Sequence, residues 1–285
     1  MSNKNFAVIG HPIKHSISPF IHRQLLDFAE IEGSYAQIDV APEDFDNFLQ
    51  TSKTKYSGFN VTIPYKQKII PLLHNISLKA KACSSVNTVK IEGGTFSGST
   101  TDPVGFVKSL ESNGVILGSN MHSVVILGCG GVAAAFAYEA LERGCAVDFL
   151  VREQSKPKAC ALAEHLKKSF LNAKINILCN ESAAAEQKPD LLINATPVGM
   201  HPNIADSPAT QLLIKNSAAV FDAVYNPVKT EFIKIAEDCG TRAIGGLQML
   251  VWQAAASQEI WNGCKFSTQQ INQICTAAEE LLTKQ

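Results

Sequence analysis

The sequence predicts an α/β protein of about two domains, and three observations support this prediction. The chain has 285 residues, which corresponds to roughly two domains of about 150 residues each. Short β-branched runs alternate with stretches of helical periodicity, as expected for right-handed crossovers within mostly parallel sheets. Hydrophobic residues make up 46% of the chain and charged residues 18%, a balance typical of globular proteins rather than disordered ones. The predicted strands are Phe6–Ile9, Tyr35–Val40, Gly58–Ile63, Val86–Ile91, Ser123–Leu127, Ala146–Val151, Lys174–Leu178, Asp190–Asn194 and Ala218–Ala223.

Two stretches indicate how the chain divides. Leu110–Met121 is rich in turn-forming residues and reads as a hinge between the first four predicted strands and the last five. Near the end of the chain, helical periodicity covers Leu247–Asn262 and Thr268–Leu282 with no predicted strand between them. Periodicity alone leaves open on which domain these two helices pack.

The charge and cysteine content exclude several classes of function. Lys and Arg number 25 against 26 Asp and Glu, a formal charge of −1, and like charges form no block, so neither nucleic acid nor a membrane is an expected partner. The longest uncharged apolar stretch, Val124–Tyr138, is too short to span a bilayer, and Met1–Phe6 lacks the layout of a signal peptide. The eight cysteines show no metal-ligand spacing. We therefore expect a cytoplasmic protein with reduced thiols and no bound metal.

A glycine-rich turn after the fifth predicted strand indicates nucleotide binding. Ser123–Leu127 runs directly into Gly-Cys-Gly-Gly at 128–131 and then into an Ala-rich helix. A pyrophosphate needs backbone N–H groups at a helix N-terminus with no Cβ in the way, which Gly128 and Gly130 provide, while Gly131 lets helix and strand pack closely. The alternative interpretation is a tight strand-to-helix turn without a ligand.

The end of the next strand indicates which nucleotide is bound. An NAD enzyme usually carries an acid there for the ribose hydroxyl. Asp148 lies 20 residues after Gly128 but inside the predicted strand rather than at its end. Arg152 stands just past the strand end and is followed by Lys156 and Lys158, a basic cluster suited to a 2′-phosphate. The alternative is a solvated basic loop.

The N-terminal half contains polar residues that could bind and transform a small substrate. Ser18 precedes Pro19 and is predicted to be a helix N-cap, whereas Ser16 has no such structural explanation. Two hydroxyls at the positive end of a helix also suit a small carboxylate. Asn60 and Thr62 are predicted to share one side of a strand, with Lys66 at its carboxyl end, where parallel sheets bind ligands. Other polar candidates in this half are Asn87 and Asp102.

Taken together, these motifs make the sequence resemble the shikimate dehydrogenase family nearly from end to end. Each motif alone has low specificity, because any of these polar residues is more often a cap, a turn or a surface residue. Their order along the chain is far more specific. The matching segments are Ser16–Pro19, Asn60–Lys66, Val86–Thr88, Asp102–Gly105, Gly128–Ala135, Asn194–Met200, Asp222 with Tyr225, and Gly246–Ala254.

The resemblance implies an enzyme that reduces 3-dehydroshikimate to shikimate with NADPH, without a metal, as a monomer or homodimer. It implies an N-terminal α/β substrate-binding domain (1–109 with 246–285) and a C-terminal Rossmann-like dinucleotide-binding domain (110–245), with the active site in the cleft between them. Lys66 and Asp102 would form the catalytic pair. The implied substrate ligands are Ser16, Ser18, Asn60, Thr62, Lys66, Asn87, Asp102, Tyr225 and Gln253. The implied cofactor ligands are Gly128, Gly130, Gly131, Val132, Ala133, Arg152, Lys156, Thr196 and Gly246.

One departure from the family pattern leaves alternatives open. Relatives often read Asn-Arg-Thr-x-x-Arg after the second strand of the nucleotide domain, but this chain has Glu153 after Arg152 and Lys156 in place of the second arginine. Glu153 repels a phosphate, and a lysine lacks the bidentate fork of an arginine. The alternatives are a quinate/shikimate dehydrogenase that uses NAD and a non-catalytic sensor that binds shikimate. A reductase of the methylene-folate or glutamyl-tRNA type is a further alternative on fold alone, but it would leave the serine and lysine motifs unexplained.

Overall fold

The structure is a computed structural model that describes residues 4–14 and 16–284. It contains two compact units. The first unit comprises the chain up to Gly105 together with residues 251–278, and the second comprises residues 106–250 and the chain from 279 onward. The domain ranges given above remain our prediction of the functional domains.

The described residues form strands and helices in alternation. The strands are β1 Lys4–Gly10, β2 Gly33–Asp39, β3 Gly58–Val61, β4 Asn75–Ile76, β5 Thr88–Glu92, β6 Thr95–Ser99, β7 Ser123–Leu127, β8 Ala146–Leu150, β9 Ile175–Leu178, β10 Leu191–Asn194, β11 Ala219–Asp222 and β12 Arg242–Ile244. The helices are α1 Ser18–Phe28, α2 Phe45–Lys55, α3 Tyr65–Lys68, α4 Leu78–Cys83, α5 Asp102–Ser112, α6 Gly131–Glu142, α7 Lys156–Lys167, α8 Glu181–Glu186, α9 Gln211–Lys215, α10 Glu231–Asp238, α11 Leu247–Asn262 and α12 Thr268–Thr283.

The sheet of the first unit is mixed. Its order is β2-β1-β3-β5-β6-β4, with β5 antiparallel to both β3 and β6. The antiparallel pair β5–β6 follows from Gly93-Gly94, where both glycines have positive φ (57° and 77°), the backbone that a two-residue hairpin turn requires. Strand β6 was not predicted from the sequence, since Thr95–Ser99 is largely polar and carries no β-branched apolar run.

Strand β3 is shorter than the sequence predicts. It ends at Val61, whereas the prediction extended it to Ile63. The carbonyl of Thr62 accepts from the amide of Tyr65 at 2.8 Å, so the chain turns there instead of continuing in the sheet. Ile63 is consequently 72% exposed. The turn leads at once into α3 and places Lys66 beyond the carboxyl end of the strand.

The second unit is a parallel sheet with the order β12-β11-β10-β7-β8-β9. The chain moves outward from β7 in one direction through β8 and β9, then returns to the other side of β7 through β10 and β11. This reversal beside β7 is the topological switch point at which such sheets bind nucleotides. The predicted α/β class with a Rossmann-like unit is therefore confirmed.

Both faces of this parallel sheet are covered by apolar side chains, as its crossovers require. One cluster centres on Phe106, Phe136 and Phe221, with Phe106 and Phe136 ring centroids 4.3 Å apart. A second cluster on the other face includes Leu192 and Phe232. These two cores hold the strand ends, and therefore the loops that follow them, in fixed positions. Across residues 4–14 and 16–284, no helix has the length and apolar character that crossing a membrane requires.

A buried histidine supports the first unit from within. His22 of α1 is fully buried, stacks on Tyr35 with ring centroids 3.9 Å apart, and its Nδ1 lies 2.9 Å from the Gln258 amide nitrogen. Burial lowers the pKa of the His22 imidazole from 6.5 to about 3. The neutral ring is therefore the form that fits the folded protein.

The lowered pKa of His22 predicts that the folded protein loses stability in acid. Because its pKa is lower in the folded than in the unfolded state, the stability from neutral His22 is complete above about pH 6.5 and is lost as the pH falls toward 3. Between pH 7 and pH 5 the loss through this group is about 2 kcal/mol. Urea unfolding of His22→Gln at both pH values should show a correspondingly smaller pH dependence than unfolding of the unmodified protein. Equal pH dependence in the two proteins would contradict this.

Candidate active site

An ion pair lies at the carboxyl edge of the first unit's sheet. The Lys66 ammonium donates to Asp102 Oδ2 at 2.6 Å. Lys66 stands in α3 just after β3, and Asp102 is the first residue of α5. The carboxylate is buried, with 5% of the residue exposed, while the lysine side chain retains 21% exposure. The ammonium is therefore the member of the pair that a ligand can reach more easily.

Asn87 determines how this carboxylate is held. The backbone N–H of Thr101 can only donate, and it lies 2.8 Å from Asn87 Oδ1. This contact fixes the amide orientation, so Asn87 Nδ2 faces Asp102 Oδ1 at 2.8 Å as a donor. Both carboxylate oxygens of Asp102 thus accept hydrogen bonds, one from an amide and one from an ammonium. Both oxygens therefore have a donor partner, which matches a carboxylate's capacity to accept hydrogen bonds.

A buried cluster of hydroxyl groups lies behind Asn87. It consists of Thr88, Thr101 and Ser257, with Ser257 Oγ 2.8 Å from Thr88 Oγ1 and 3.3 Å from Thr101 Oγ1. Thr88 donates to Asn87 Oδ1 at 3.0 Å, and Gln253 Oε1 accepts from Asn87 Nδ2 at 3.3 Å. Ser257 was not among the residues that the sequence motifs predicted for the site. Its position one helical turn after Gln253 was the available signal.

Asn60 is tied into the same hydroxyl cluster. Its Oδ1 accepts from the Tyr35 hydroxyl at 2.7 Å, and its Nδ2 donates to the Asn87 carbonyl at 2.9 Å and to Ser257 Oγ at 3.0 Å. Thr62 lies one residue beyond β3, and its amide donates to the Ile9 carbonyl at 2.9 Å. The structure thus joins Asn60 to Asn87 through shared partners, and it holds Thr62 at the strand end.

Ser16 and Ser18 contact each other at the start of α1. The Ser16 hydroxyl donates to Ser18 Oγ at 3.1 Å, and the Ser18 amide donates to Ser16 Oγ at 3.3 Å. The prediction that Ser18 is the N-cap is wrong, because α1 begins at Ser18 and Ile17 occupies the capping position without a side-chain bond. The Ser16 hydroxyl instead accepts a hydrogen bond from the Ser18 amide. The resulting turn from Ser16 to Ser18 brings the two hydroxyls together.

In the second unit, the glycine-rich turn at residues 128–131, called the phosphate turn below, has the backbone geometry that its glycines suggested. Gly128 has φ +97°, a backbone that favours glycine, and Gly130 precedes α6 as its N-cap residue. A Cβ on Gly130 would meet no atom within 4 Å. The space beside Gly130 is therefore open at the N-terminus of α6, which starts with Gly131, Val132 and Ala133, and an open helix N-terminus suits a pyrophosphate.

The basic loop after β8 also has the predicted arrangement. Asp148 lies within β8, and its carboxylate accepts from the Asn176 amide on the neighbouring strand at 2.8 Å. Arg152 follows the strand and is exposed. Glu153 lies 4.0 Å from the Lys156 ammonium. The strand end therefore carries a guanidinium, while the Lys156 ammonium is paired with a carboxylate in the turn just before α7.

Two further predicted cofactor residues pack against strand ends of this unit. A Cβ on Gly128 would lie 2.9 Å from Thr196 Cγ2, so Thr196 sits against the phosphate turn. A Cβ on Gly246 would lie 2.6 Å from the Ala223 carbonyl.

Tyr225 is partly buried, and burial raises the pKa of its phenol, which keeps the hydroxyl protonated as a donor. No group of three or more potential metal ligands occurs among the residues that the structure describes.

Comparison with known proteins identifies the family. Residues 8–89 match the model of the shikimate dehydrogenase substrate binding domain, and residues 246–274 match that of the shikimate 5′-dehydrogenase C-terminal domain. The chain is 36% identical to "Shikimate dehydrogenase (NADP(+))" of Caldanaerobacter subterraneus over 92% of both chains, and 37% identical to the protein of that name from Methanococcus maripaludis, also over 92% of both. The crystal structure of shikimate 5-dehydrogenase from Thermus thermophilus in complex with NADP(H) and shikimate superimposes with a TM-score of 0.86 at 31% identity, covering 96% of this chain and 99% of that one. The chain belongs to the shikimate dehydrogenase family.

Proposed function

We propose that this protein is a shikimate dehydrogenase, which catalyses the reversible reduction of 3-dehydroshikimate to shikimate with NADPH. The observation that carries the proposal is the Lys66–Asp102 pair, with its carboxylate oriented by Asn87. A protein that only sensed shikimate would need hydroxyl and amide contacts but no proton donor beside an ionised carboxylate. The relatives compared above are named as NADP(+) enzymes, which supports the same assignment.

The residues of the first unit can handle the proton of this reaction. Hydride transfer to the carbonyl leaves an alkoxide, which needs a proton from a nearby acid. The Lys66 ammonium donates that proton in the direction of reduction, and neutral Lys66 accepts it in the direction of oxidation. Asp102 holds the ammonium in place by accepting its hydrogen bond. When bound, the nicotinamide supplies or accepts the hydride.

We assign the remaining polar residues to holding the two ligands. The substrate carboxylate is held by the hydroxyls of Ser16, Ser18 and Tyr225, and ring hydroxyls meet the catalytic pair and the amides around it. The Asn60 amide also holds Asn87 by donating to its carbonyl. The proposed partners of the ring hydroxyls are Asn60, Thr62, Lys66, Asn87, Asp102 and Gln253. The proposed cofactor ligands are Gly128, Gly130, Gly131, Val132, Ala133, Arg152, Lys156, Thr196 and Gly246.

A four-way assay tests this function. Purified protein is assayed with shikimate or quinate against NADP⁺ or NAD⁺, and kcat/KM is measured for each pair. We expect shikimate with NADP⁺ to give the highest value. A preference for quinate with NAD⁺ would identify the sister activity, and the proximity of Glu153 to Lys156 is the observation that favours that second candidate. Shikimate binding without turnover in any pair would indicate a sensor.

The cofactor assignment predicts a selective effect of Arg152→Ala. The 2′-phosphate is the only part of NADP⁺ that NAD⁺ lacks, and Arg152 is the exposed guanidinium after β8. The variant should raise the KM for NADP⁺ by about tenfold to a hundredfold, the scale of a hydrogen bond to a charged group, and should leave the KM for NAD⁺ nearly unchanged. Steady-state assays with both cofactors measure this. An equal increase for both cofactors would contradict the assignment.

The carboxylate assignment predicts that either serine variant weakens shikimate binding. Ser16→Ala and Ser18→Ala should each cost about 1–3 kcal/mol of binding free energy, the scale for a hydrogen bond to a charged group. Calorimetric titration with shikimate measures the loss. Ser34→Ala serves as the control, because that exposed hydroxyl bonds Asn5 at 2.8 Å in the same unit. Unchanged affinity in both serine variants would show that the carboxylate binds elsewhere.

We further propose that the enzyme works in the cytoplasm as a monomer or homodimer, with neither nucleic acid nor membrane as a partner. Its formal charge of −1 and its eight cysteines, all present as free thiols in the structure, support this proposal. Sedimentation analysis at several protein concentrations distinguishes monomer from homodimer.

A further inference from the structure

We propose that Asp222, a buried carboxylate at the end of β11, is a positioning residue that holds the loop after β10 against the phosphate turn and so sets the affinity for the dinucleotide. This inference rests on the proposed function. Asp222 is fully buried within the second unit. It is not among the residues that we assign to touching either ligand.

Three donors from different parts of the chain converge on this carboxylate. Oδ1 accepts from the Asn194 amide at 2.9 Å and from the Val224 backbone N–H at 2.9 Å, and Oδ2 accepts from the Thr230 hydroxyl at 2.5 Å. Thr230 is also the N-cap of α10. One side chain therefore links the end of β10, the segment after β11 and the start of α10.

The link through Asn194 reaches the phosphate turn. Asn194 Oδ1 accepts from both the backbone N–H and the hydroxyl of Thr196, at 3.0 Å and 2.7 Å, which orients the Asn194 amide toward Asp222. The Thr196 hydroxyl in turn accepts from the Val198 amide at 3.2 Å. Thr196 Cγ2 lies 2.9 Å from the position that a Cβ on Gly128 would occupy. Asp222 thus fixes Thr196 through Asn194, and Thr196 packs on Gly128.

The backbone around Asp222 is closely packed against Gly246. A Cβ on Gly246 would lie 2.9 Å from the Asp222 carbonyl and 2.6 Å from the Ala223 carbonyl. Gly246 is one of the proposed cofactor ligands, so Asp222 is connected to two of them, to Thr196 through Asn194 and to Gly246 through the backbone at the end of β11. A shift of Asp222 would therefore move both.

The surroundings of the Asp222 carboxylate indicate that a contribution to folding stability alone does not explain why an acid stands at this position. Among residues 4–14 and 16–284, its hydrogen-bond partners are an amide, a backbone N–H and a hydroxyl, with no cation among them. Burial raises the pKa of Asp222 to about 6, against the effect of these donors. Burying a carboxylate without a cation costs folding free energy. A residue that is costly to the fold and that organises three loops fits a role in geometry.

Asp190 offers a matched control at the opposite edge of the same sheet. Its carboxylate also accepts three hydrogen bonds, from the amides of His122 and Ser123 at 2.8 Å and from the Ser123 hydroxyl at 3.0 Å. It precedes β10, whereas Asp222 ends β11. Loss of Asp190 therefore removes a comparable set of bonds from the same unit, away from the phosphate turn.

The test measures dinucleotide binding directly, by calorimetric titration of Asp222→Ala, Asp222→Asn and Asp190→Ala with NADPH and with NADH. We expect Asp222→Ala to raise Kd for both dinucleotides by about tenfold, and equally for the two, because the 2′-phosphate contact is untouched. Asp222→Asn should recover most of the affinity, since its one carbonyl oxygen can still face Asn194 and Val224. Asp190→Ala should bind both dinucleotides normally.

If Asp222→Ala does not fold, Thr230→Val and Thr230→Ser replace it. Thr230→Val removes one of the three bonds and should weaken both dinucleotides, whereas Thr230→Ser keeps the hydroxyl and should not. Normal dinucleotide affinity in Asp222→Ala or Thr230→Val, or an equal loss in Asp190→Ala, would overturn the inference. Failure of the unmodified protein to bind either dinucleotide would instead overturn the proposed function.

Discussion

The Lys66→Ala variant is expected to lose about 10²–10⁴ in turnover, the usual scale of general acid–base catalysis, with a much smaller change in the KM for shikimate. The substitution deletes the proton donor at the developing alkoxide and leaves the serine hydroxyls that hold the carboxylate. Asp102 keeps its hydrogen bond from Asn87, so the site is not left with an unpartnered carboxylate. Steady-state kinetics at saturating NADP⁺ measure both constants.

Lys68→Ala is the matched control for this variant. Lys68 lies in the same helix α3, and its ammonium stands 4.8 Å from the Phe45 ring centroid, away from Asp102. It should keep native turnover. The assignment of Lys66 as proton donor fails if Lys66→Ala retains near-native turnover at saturating shikimate while only the KM rises, because that pattern marks uniform binding of ground state and transition state.

The pair also predicts non-additive behaviour. If Lys66 and Asp102 act as one proton-handling unit, the double variant Lys66→Ala/Asp102→Asn should be little slower than the poorer single variant. Their 2.6 Å contact is the physical basis of this expectation. Additive losses would indicate separate roles, with Asp102 serving to bind a ring hydroxyl.

The Gly130→Ala variant should fold normally yet bind NADPH about tenfold to a hundredfold more weakly, which corresponds to an overpacking cost of about 1–3 kcal/mol. The protein itself leaves the space beside Gly130 open, since a Cβ there would meet no atom within 4 Å. Gly130 also has φ −85°, which alanine adopts without strain. The added methyl group is therefore expected to meet a bound pyrophosphate rather than the part of the protein that the structure describes.

Gly128→Ala provides the contrast. Gly128 has φ +97°, and a Cβ there would lie 2.9 Å from Thr196 Cγ2, so this variant should lose thermal stability as well as NADPH affinity. Thermal melts without ligand and calorimetric titrations with NADPH separate the two effects. Native NADPH affinity in Gly130→Ala would show that the pyrophosphate does not approach this turn.

The sequence predicted the parallel sheet of the second unit well because its strands are buried on both faces. Val124–Leu127 and Leu191–Asn194 are fully buried and read as continuous apolar runs. The strands that it missed are β4, β6 and β12, of which β4 and β12 are edge strands of two and three residues. Short edge strands carry too few residues for a periodic pattern to show.

In the candidate site, too, features set by neighbouring residues in the sequence were predicted, whereas contacts between distant residues were not. Motif spacing predicted Lys66 and Asp102 individually, because each follows a strand or begins a helix. It did not predict that Thr101 orients Asn87, nor that Ser257 bonds Thr88 across 169 positions of the chain. The Ser18 prediction failed because the Ser16 hydroxyl accepts a hydrogen bond from the Ser18 amide, and α1 begins at Ser18 with Ile17 in the capping position.

A crystal structure with NADP⁺ and shikimate bound tests the central claim most directly, since the claim concerns which atoms meet the substrate. We predict the shikimate carboxylate within hydrogen-bond distance of the Ser16 and Ser18 hydroxyls, and the hydroxyl that is oxidised within hydrogen-bond distance of Lys66 Nζ, with Asp102 still holding that ammonium. A carboxylate far from both serines, or a reacting hydroxyl that lies against a group other than Lys66, would contradict the account.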